Sequence, residues 1–248
     1  MIRTLLIIAG AALVLCVATL SGAAAIGGND LARQGWTWTF RDDGEDHTVH
    51  FERGDDSPAV TRNLAWTGGD TLAVEIPGDV TYVQGDTPSV VVTGKKSMVD
   101  RVRLVDGRLT WADGDADHVV FGWHNNSRLR VVVTAPSVKR FDLQSSADLS
   151  IRGYDQPTFD LNVSGSGDVD ASGETQTATI DTTGSGDSDL SALELTDADI
   201  DTSGSGDLRV GPTGTARIDI SGSGDVDLTR RPANLTQSVS GSGDIDQN

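Results

Sequence analysis

Five aspartates recur at the same point of one phrase. Asp168, Asp187, Asp207, Asp225 and Asp244 each close a Ser/Thr-Gly-Ser-Gly-Asp run. Ser166, Ser185, Ser205, Ser223 and Ser242 stand two residues before them. Carboxylates and hydroxyls in repeated register offer oxygen ligands, which suit hard cations such as calcium. The same residue types beside glycine also accept backbone N–H bonds and cap turns. Turn chemistry alone explains the composition, so capping is the favoured reading and calcium along the aspartate ladder is the alternative.

A different chemistry open to clustered acids is glycoside hydrolysis. It needs one site whose environment pushes two carboxylates apart in pKa. These acids instead repeat identically. From residue 141 onward there is no Lys or His, and the bases are Arg152, Arg209, Arg217, Arg230 and Arg231. No nucleophile elbow is present. His47 and His50 invite a metal reading, but residues three apart on a strand face opposite ways. They read as surface histidines. Asp113-Gly114-Asp115-Ala116-Asp117 opens like a calcium loop. His118 stands where that loop needs glycine and His124 where it needs glutamate, which excludes an EF-hand. An acidic surface turn is the default there, with a weak cation site as the alternative.

These residues must be positioned by a repeating element. An earlier, worn copy reads Gln144-Ser145-Ser146-Ala147-Asp148. From Asp148 the aspartates follow at 20, 19, 20, 18 and 19 residues. A fixed period of this size marks a solenoid. Around the phrase, apolar residues and glycine alternate with Ser and Asp, as in Leu161, Val163, Gly165, Gly167 and Val169. Ile180, Leu190, Ile200, Leu208, Val210, Ile218, Ile220, Val226 and Leu228 keep the same parity. Such alternation predicts strands with one buried face. Ser and Asp then face water, and the inward glycines imply a coil that is thin or sharply bent at the phrase. Identical phrases must run in one direction, so successive copies pair in parallel about 4.8 Å apart. The expected fold is all-β: a right-handed parallel β-helix with turns of about 19 residues. Stacked aspartates would repel by roughly 1 kcal/mol per neighbour in water, a cost that solvent, amide hydrogen bonds or cations must offset.

The chain has 248 residues and a net charge of −18. Residues 141–248 hold 20 acids and 5 bases. Nucleic acid is an unsuitable partner, because phosphate binding needs the opposite sign. Residues 1–25 read as a secretory signal peptide: Arg3, an apolar run from Leu5 to Leu20, and Ala23-Ala24-Ala25 as the cleavage site. An uncleaved anchor helix is the alternative. Leu15 before Cys16, the single cysteine, argues against a lipoprotein signal. The exported chain would hold no thiol, so stacking and not disulfides must stabilise it.

Residues 26–64 form a polar segment with short strands, and 65–248 a continuous β body, irregular at first and periodic over 141–248. Within it, Asp106-Gly107 between apolar runs predicts a hairpin, and Lys95 to Val102 a short helical turn. Pro77-Gly78-Asp79-Val80 faintly echoes the repeats.

Val163-Ser164-Gly165-Ser166-Gly167-Asp168-Val169 resembles the putative auto-transporter adhesin, head GIN domain family. So do Gly78-Asp79-Val80-Thr81-Tyr82-Val83-Gln84-Gly85-Asp86 and Val131-Val132-Val133-Thr134-Ala135-Pro136. The resemblance spans roughly residues 65–248. It implies an exported, right-handed parallel β-helical protein of the bacterial envelope, with no catalytic residues to carry over. The worn copy at Asp148 and Ser188, where other turns have Leu or Val, depart from the pattern.

The sequence thus predicts a periplasmic or surface protein, non-enzymatic, with a structural or adhesin-like role toward an envelope protein or glycan. The alternative is a carbohydrate-active enzyme or glycan-binding module on the same scaffold. No capping helix follows the last phrase, so self-association through the C-terminal edge is a further expectation.

Overall fold

The computed structural model describes residues 36–42, 45–51, 57–112 and 128–247. The leader read at 1–25 and the acidic turn at 113–117 lie outside them. β1 (Trp36–Asp42) and β2 (Glu45–Phe51) form an antiparallel pair in a unit of their own. His47 and His50 fall on β2, described for its backbone alone. No helix among the described residues is long and apolar enough to cross a membrane.

The second unit opens with β3 (Ala59–Leu64), β4 (Thr71–Val74), β5 (Asp79–Gln84) and β6 (Ser89–Lys95). The one-turn helix α1 (Lys96–Val99) follows, then β7 (Val102–Val105), β8 (Arg108–Trp111) and β9 (Arg130–Ala135). β7 and β8 make the expected hairpin. Its turn places Asp106 at φ 49° and Gly107 at φ 78°, the left-handed pair of a type I′ turn. This explains Asp-Gly there.

The periodic half then supplies two strands per coil. They are β10 (Arg140–Leu143) and β11 (Asp148–Asp155), β12 (Thr158–Val163) and β13 (Val169–Glu174), and β14 (Thr177–Thr182) and β15 (Ser188–Leu195). After them come β16 (Asp197–Thr202) and β17 (Leu208–Pro212), β18 (Thr215–Ile220) and β19 (Val226–Leu228), and β20 (Asn234–Val239) and β21 (Ile245–Gln247). One sheet takes the first strand of each coil, in the order β20-β18-β16-β14-β12-β10-β4-β8-β7. The other takes the second, in the order β21-β19-β17-β15-β13-β11-β5-β9-β6-β3. All pairs between successive coils are parallel, as the repeated phrase requires.

The faint echo at Gly78-Asp79-Val80 is a true rung. β4 lies in register on β10 and β5 on β11, with Asp79 beside Asp148 and Val80 beside Leu149. The period is broken in sequence but not in space. The chain leaves the stack after β5, builds β6 to β9 and α1 over its first end, and re-enters at β10.

Burial follows the alternation. β12 buries Phe159, Leu161 and Val163 and turns Thr158, Asp160 and Asn162 outward. Where the first coils meet, Phe141 touches the rings of Tyr82, Tyr154 and Phe159 at centroid distances of 5.1, 6.0 and 5.6 Å. Ser188 occupies the inward place that Val169 and Leu208 fill on either side. It is buried and its hydroxyl has no hydrogen-bond partner. An unpaired buried hydroxyl costs about 1–3 kcal/mol. Ser188→Val is therefore expected to raise the unfolding free energy by about 1 kcal/mol, read from urea titration. A lowered midpoint would mean that the space between the coils cannot take the added methyls.

The glycines of the phrase answer to stacking and not to unusual dihedrals. A Cβ on Gly186 would lie 2.0 Å from the carbonyl oxygen of Gly167, and one on Gly206 2.0 Å from that of Gly186. The corner is thin because each coil's backbone sits directly on the last.

Candidate functional site

The corner aspartates stand outward and exposed, as alternation requires. Each but Asp244 is tied to both neighbouring coils, and Asp244 to the one before it. The N–H of Asp187 donates to Asp168 Oδ1 at 2.9 Å, that of Asp207 to Asp187 Oδ1 at 2.9 Å, that of Asp225 to Asp207 Oδ1 at 2.9 Å, and that of Asp244 to Asp225 Oδ1 at 2.8 Å. In the other direction, the backbone oxygen of Asp187 accepts from the Val169 N–H, and that of Asp207 from the Ser188 N–H, both at 2.8 Å. The side chain thus takes the place of a main-chain acceptor at the corner and carries the parallel ladder around the bend. Hydrogen bonds to an ionised acceptor are stronger than neutral ones, which offsets the repulsion along the column.

The cation candidates Asp168, Asp187, Asp207, Asp225 and Asp244 therefore use one carboxylate oxygen for the fold, except at the last, for which no following coil is described. Among the described residues, no group of three or more His, Cys, Asp or Glu side chains is gathered as a metal site. Asp207→Ala, which strands the Asp225 N–H, is expected to cost about 1 kcal/mol. Asp207→Asn keeps an acceptor oxygen and should cost far less. A ladder that held calcium would instead show a calcium-dependent rise in melting midpoint that both substitutions weaken.

Beside the corner column runs a second one that the five-aspartate reading passed over. Asp170, Asp189, Arg209, Asp227 and Asp246 stack in register on β13, β15, β17, β19 and β21. Its signal in the sequence is Asp-x-Asp, present in four of the five copies and replaced by Asp207-Leu208-Arg209 in the third. Arg209 sits between two acids, with Nε 3.1 Å from Asp227 Oδ2 and Nη1 3.5 Å from Asp189 Oδ2. An open groove between the columns is lined by Asp187, Asp189, Asp207, Arg209, Asp225 and Asp227. Hydrogen bonds from Ser191, and then the Arg209 charge, hold Asp189 below the usual carboxylate range.

The other sheet has its own outward stripe. Asp142, Asn162, Asp181, Asp201 and Asp219 stack in register. Next to them Arg140 reaches Asp160 through Nη2 at 2.6 Å and Nε at 2.9 Å. Partial burial raises Asp142 and Asp181, and the Asp201 charge raises Asp181 further. The two raised groups hold protons more tightly in the folded chain, so their contribution to stability grows as pH falls through their raised values. Asp189 works in the opposite sense: its contribution is present above the unfolded carboxylate value and is lost as pH falls through its lowered one.

A family model described as putative auto-transporter adhesin, head GIN domain, matches residues 70–232. The chain belongs to that family. The matched stretch of this head GIN protein begins next to β4 and ends before β20. A putative adhesin from Bacteroides fragilis NCTC 9343 is similar in structure, with a TM-score of 0.63 and 16% identity over 79% of this chain and 100% of that one. A putative adhesin from Parabacteroides merdae ATCC 43184 aligns at 17% identity over 80% and 99%, with a TM-score of 0.48. A putative lipid binding protein from Parabacteroides distasonis ATCC 8503 aligns at 20% identity over 80% and 99%, with a TM-score of 0.45. The likeness to the Bacteroides fragilis protein is one of fold. No curated protein matches the chain.

Proposed function

We propose that this head GIN chain is an exported bacterial envelope protein that acts without catalysis, as an adhesin-like or structural surface. The observation that carries the reading is the register of the outward columns. Both sheets repeat acids and hydroxyls rung after rung, so a long polymeric partner meets the same contact many times. Weak contacts repeated on one rigid scaffold gain by effective concentration. The partner is a protein or glycan of the envelope or of a neighbouring cell surface, with cationic or hydroxyl groups along its length. The leader at 1–25 supports export, and the family description supports the adhesive role.

Catalysis would need carboxylates driven apart in pKa at one place. Asp189 is lowered on one sheet, whereas Asp142 and Asp181 are raised on the other. The repetition of like acids rung after rung, with no single distinctive pair, favours a binding surface over a glycoside hydrolase. The test is binding of purified residues 26–248 to arrayed glycans and to bacterial envelope fractions, with the products examined afterwards. Saturable, salt-sensitive capture of an unaltered ligand is the expected result. Release of new reducing ends would replace this reading with the enzymatic one, and failure to bind either class would remove it.

A further inference from the structure

The outward face of the sheet that holds β5, β9 and β11 changes character at its first rungs. Asp170 continues the column of Asp189, Arg209 and Asp227, but on the strands before it the same place falls to Ser150, Thr81 and Val132. Hydroxyls and an apolar floor replace the acids. An open groove of about 370 Å³ lies there, lined by Asp79, Thr81, Arg130, Ser150, Arg152 and Asp170. Small-ligand clefts span about 300–1,000 Å³.

Arginines gather at this groove in a chain of net charge −18. Arg128 spans two rungs, with Nη1 3.5 Å from Asp79 Oδ1 and 3.0 Å from Asp148 Oδ2. Arg130 Nη2 stands 3.8 Å from Asp79 Oδ2. These two offset the acids of the rim. Arg152 differs from them. It shares the outward face of β11 with Ser150, and its Nε donates to Ser150 Oγ at 3.2 Å. Arg140, Arg209, Arg217 and Arg230 each reach a carboxylate, whereas Arg152 pairs with none among the described residues. The serine therefore orients the guanidinium and leaves Nη1 and Nη2 as a fork. Such a fork matches the two oxygens of a carboxylate.

We infer that this groove binds a carboxylate-bearing sugar of an acidic polysaccharide. Arg152 takes the carboxylate through its fork, with Arg130 adding positive charge from the other side. The hydroxyls of Thr81 and Ser150, and the carboxylate of Asp170 beside Ser150, meet the hydroxyls of the ring. Val132 lies under its C–H face. An acidic peptide would supply the carboxylate but nothing for Asp170 and the two hydroxyls to hold. Phosphate, with its greater charge, would be repelled more strongly by Asp79, Asp148 and Asp170. The site stands apart from the acid columns of the proposed function: it selects the opposite charge and does not rest on them.

Titration calorimetry of residues 26–248 with oligogalacturonate tests this, with its methyl ester as the uncharged counterpart. The expected result is saturable binding that weakens with salt, and weaker binding of the ester by at least about tenfold, the loss of a charged hydrogen-bonded pair. Arg152→Gln should weaken oligogalacturonate binding by a similar factor while keeping the parent's urea midpoint. Arg217→Gln, on the other sheet, should leave it unchanged. Failure of the parent to bind overturns the inference. So does equal binding of the ester or by the Arg152→Gln variant. Oligoglutamate or inorganic phosphate bound as tightly as oligogalacturonate would also overturn it, by showing that the groove reads charge and not a sugar. Capture of cationic partners by the acid columns is a separate measurement, so either reading can fail without the other.

Discussion

Gly206→Ala is expected to lower stability by about 3 kcal/mol, a large share of an ordinary folding margin. The added Cβ would stand 2.0 Å from the Gly186 carbonyl oxygen and 2.7 Å from the carbonyl carbon. Those atoms belong to main chain held in a parallel ladder, so they cannot rotate away as a side chain would. Relief requires two coils to part at the corner. That lengthens the Ser205 N–H bond to Gly184 O, now 3.0 Å, and the Asp207 N–H bond to Asp187 Oδ1. Gly69→Ala is the control, because a Cβ there meets nothing within 4 Å. It should stay within about 0.5 kcal/mol of the parent. Thermal and urea unfolding of both variants provide the measurement, and equal midpoints would show that the corners are looser than the stacked carbonyls imply.

Phe141→Ala should cost about 3–5 kcal/mol. Phe141 is fully buried on β10, between Leu72 of the re-entered first rung and Leu161 of the next coil. Its ring meets Tyr82 and Tyr154 edge-on and Phe159 at a tilt, and edge-on aromatic pairs add about 0.5–1.5 kcal/mol each beyond burial. The loss falls where the chain returns after its excursion from β6 to β9. The cap strands should therefore lose protection from hydrogen exchange along with the first coils. Phe141→Leu fills most of the space and should lose far less. If the alanine variant unfolds at the parent's midpoint, the aromatic cluster does not join the cap to the coils.

Much of this was legible in the residues themselves. The repeat of Ser-Gly-Ser-Gly-Asp at near-constant spacing specifies parallel stacking, because copies of one phrase can be brought into register in only one direction. Alternation at Leu161, Val163, Val169 and Ile180 specifies which face is buried, because side chains on a strand change sides at every residue. Asp106-Gly107 specifies its own turn, since few other pairs accept two positive φ angles. The turn-capping role of the aspartates was also readable, though as a local cap and not as a bond to the next coil.

The rest depended on contacts between residues far apart in the chain. Gly78-Asp79-Val80 joins the stack although β6 to β9 intervene, and no local pattern says that a chain will return to its own first rung. Side-chain columns such as Asp170, Asp189, Arg209, Asp227 and Asp246 exist only once the register is fixed, because a shift of one residue would turn each column to the core. The sequence by itself determined the repeating coil, its inward and outward faces, and the glycine corners. Tertiary structure decided which rung begins the stack and which acids share a face, since those depend on neighbours that only folding supplies.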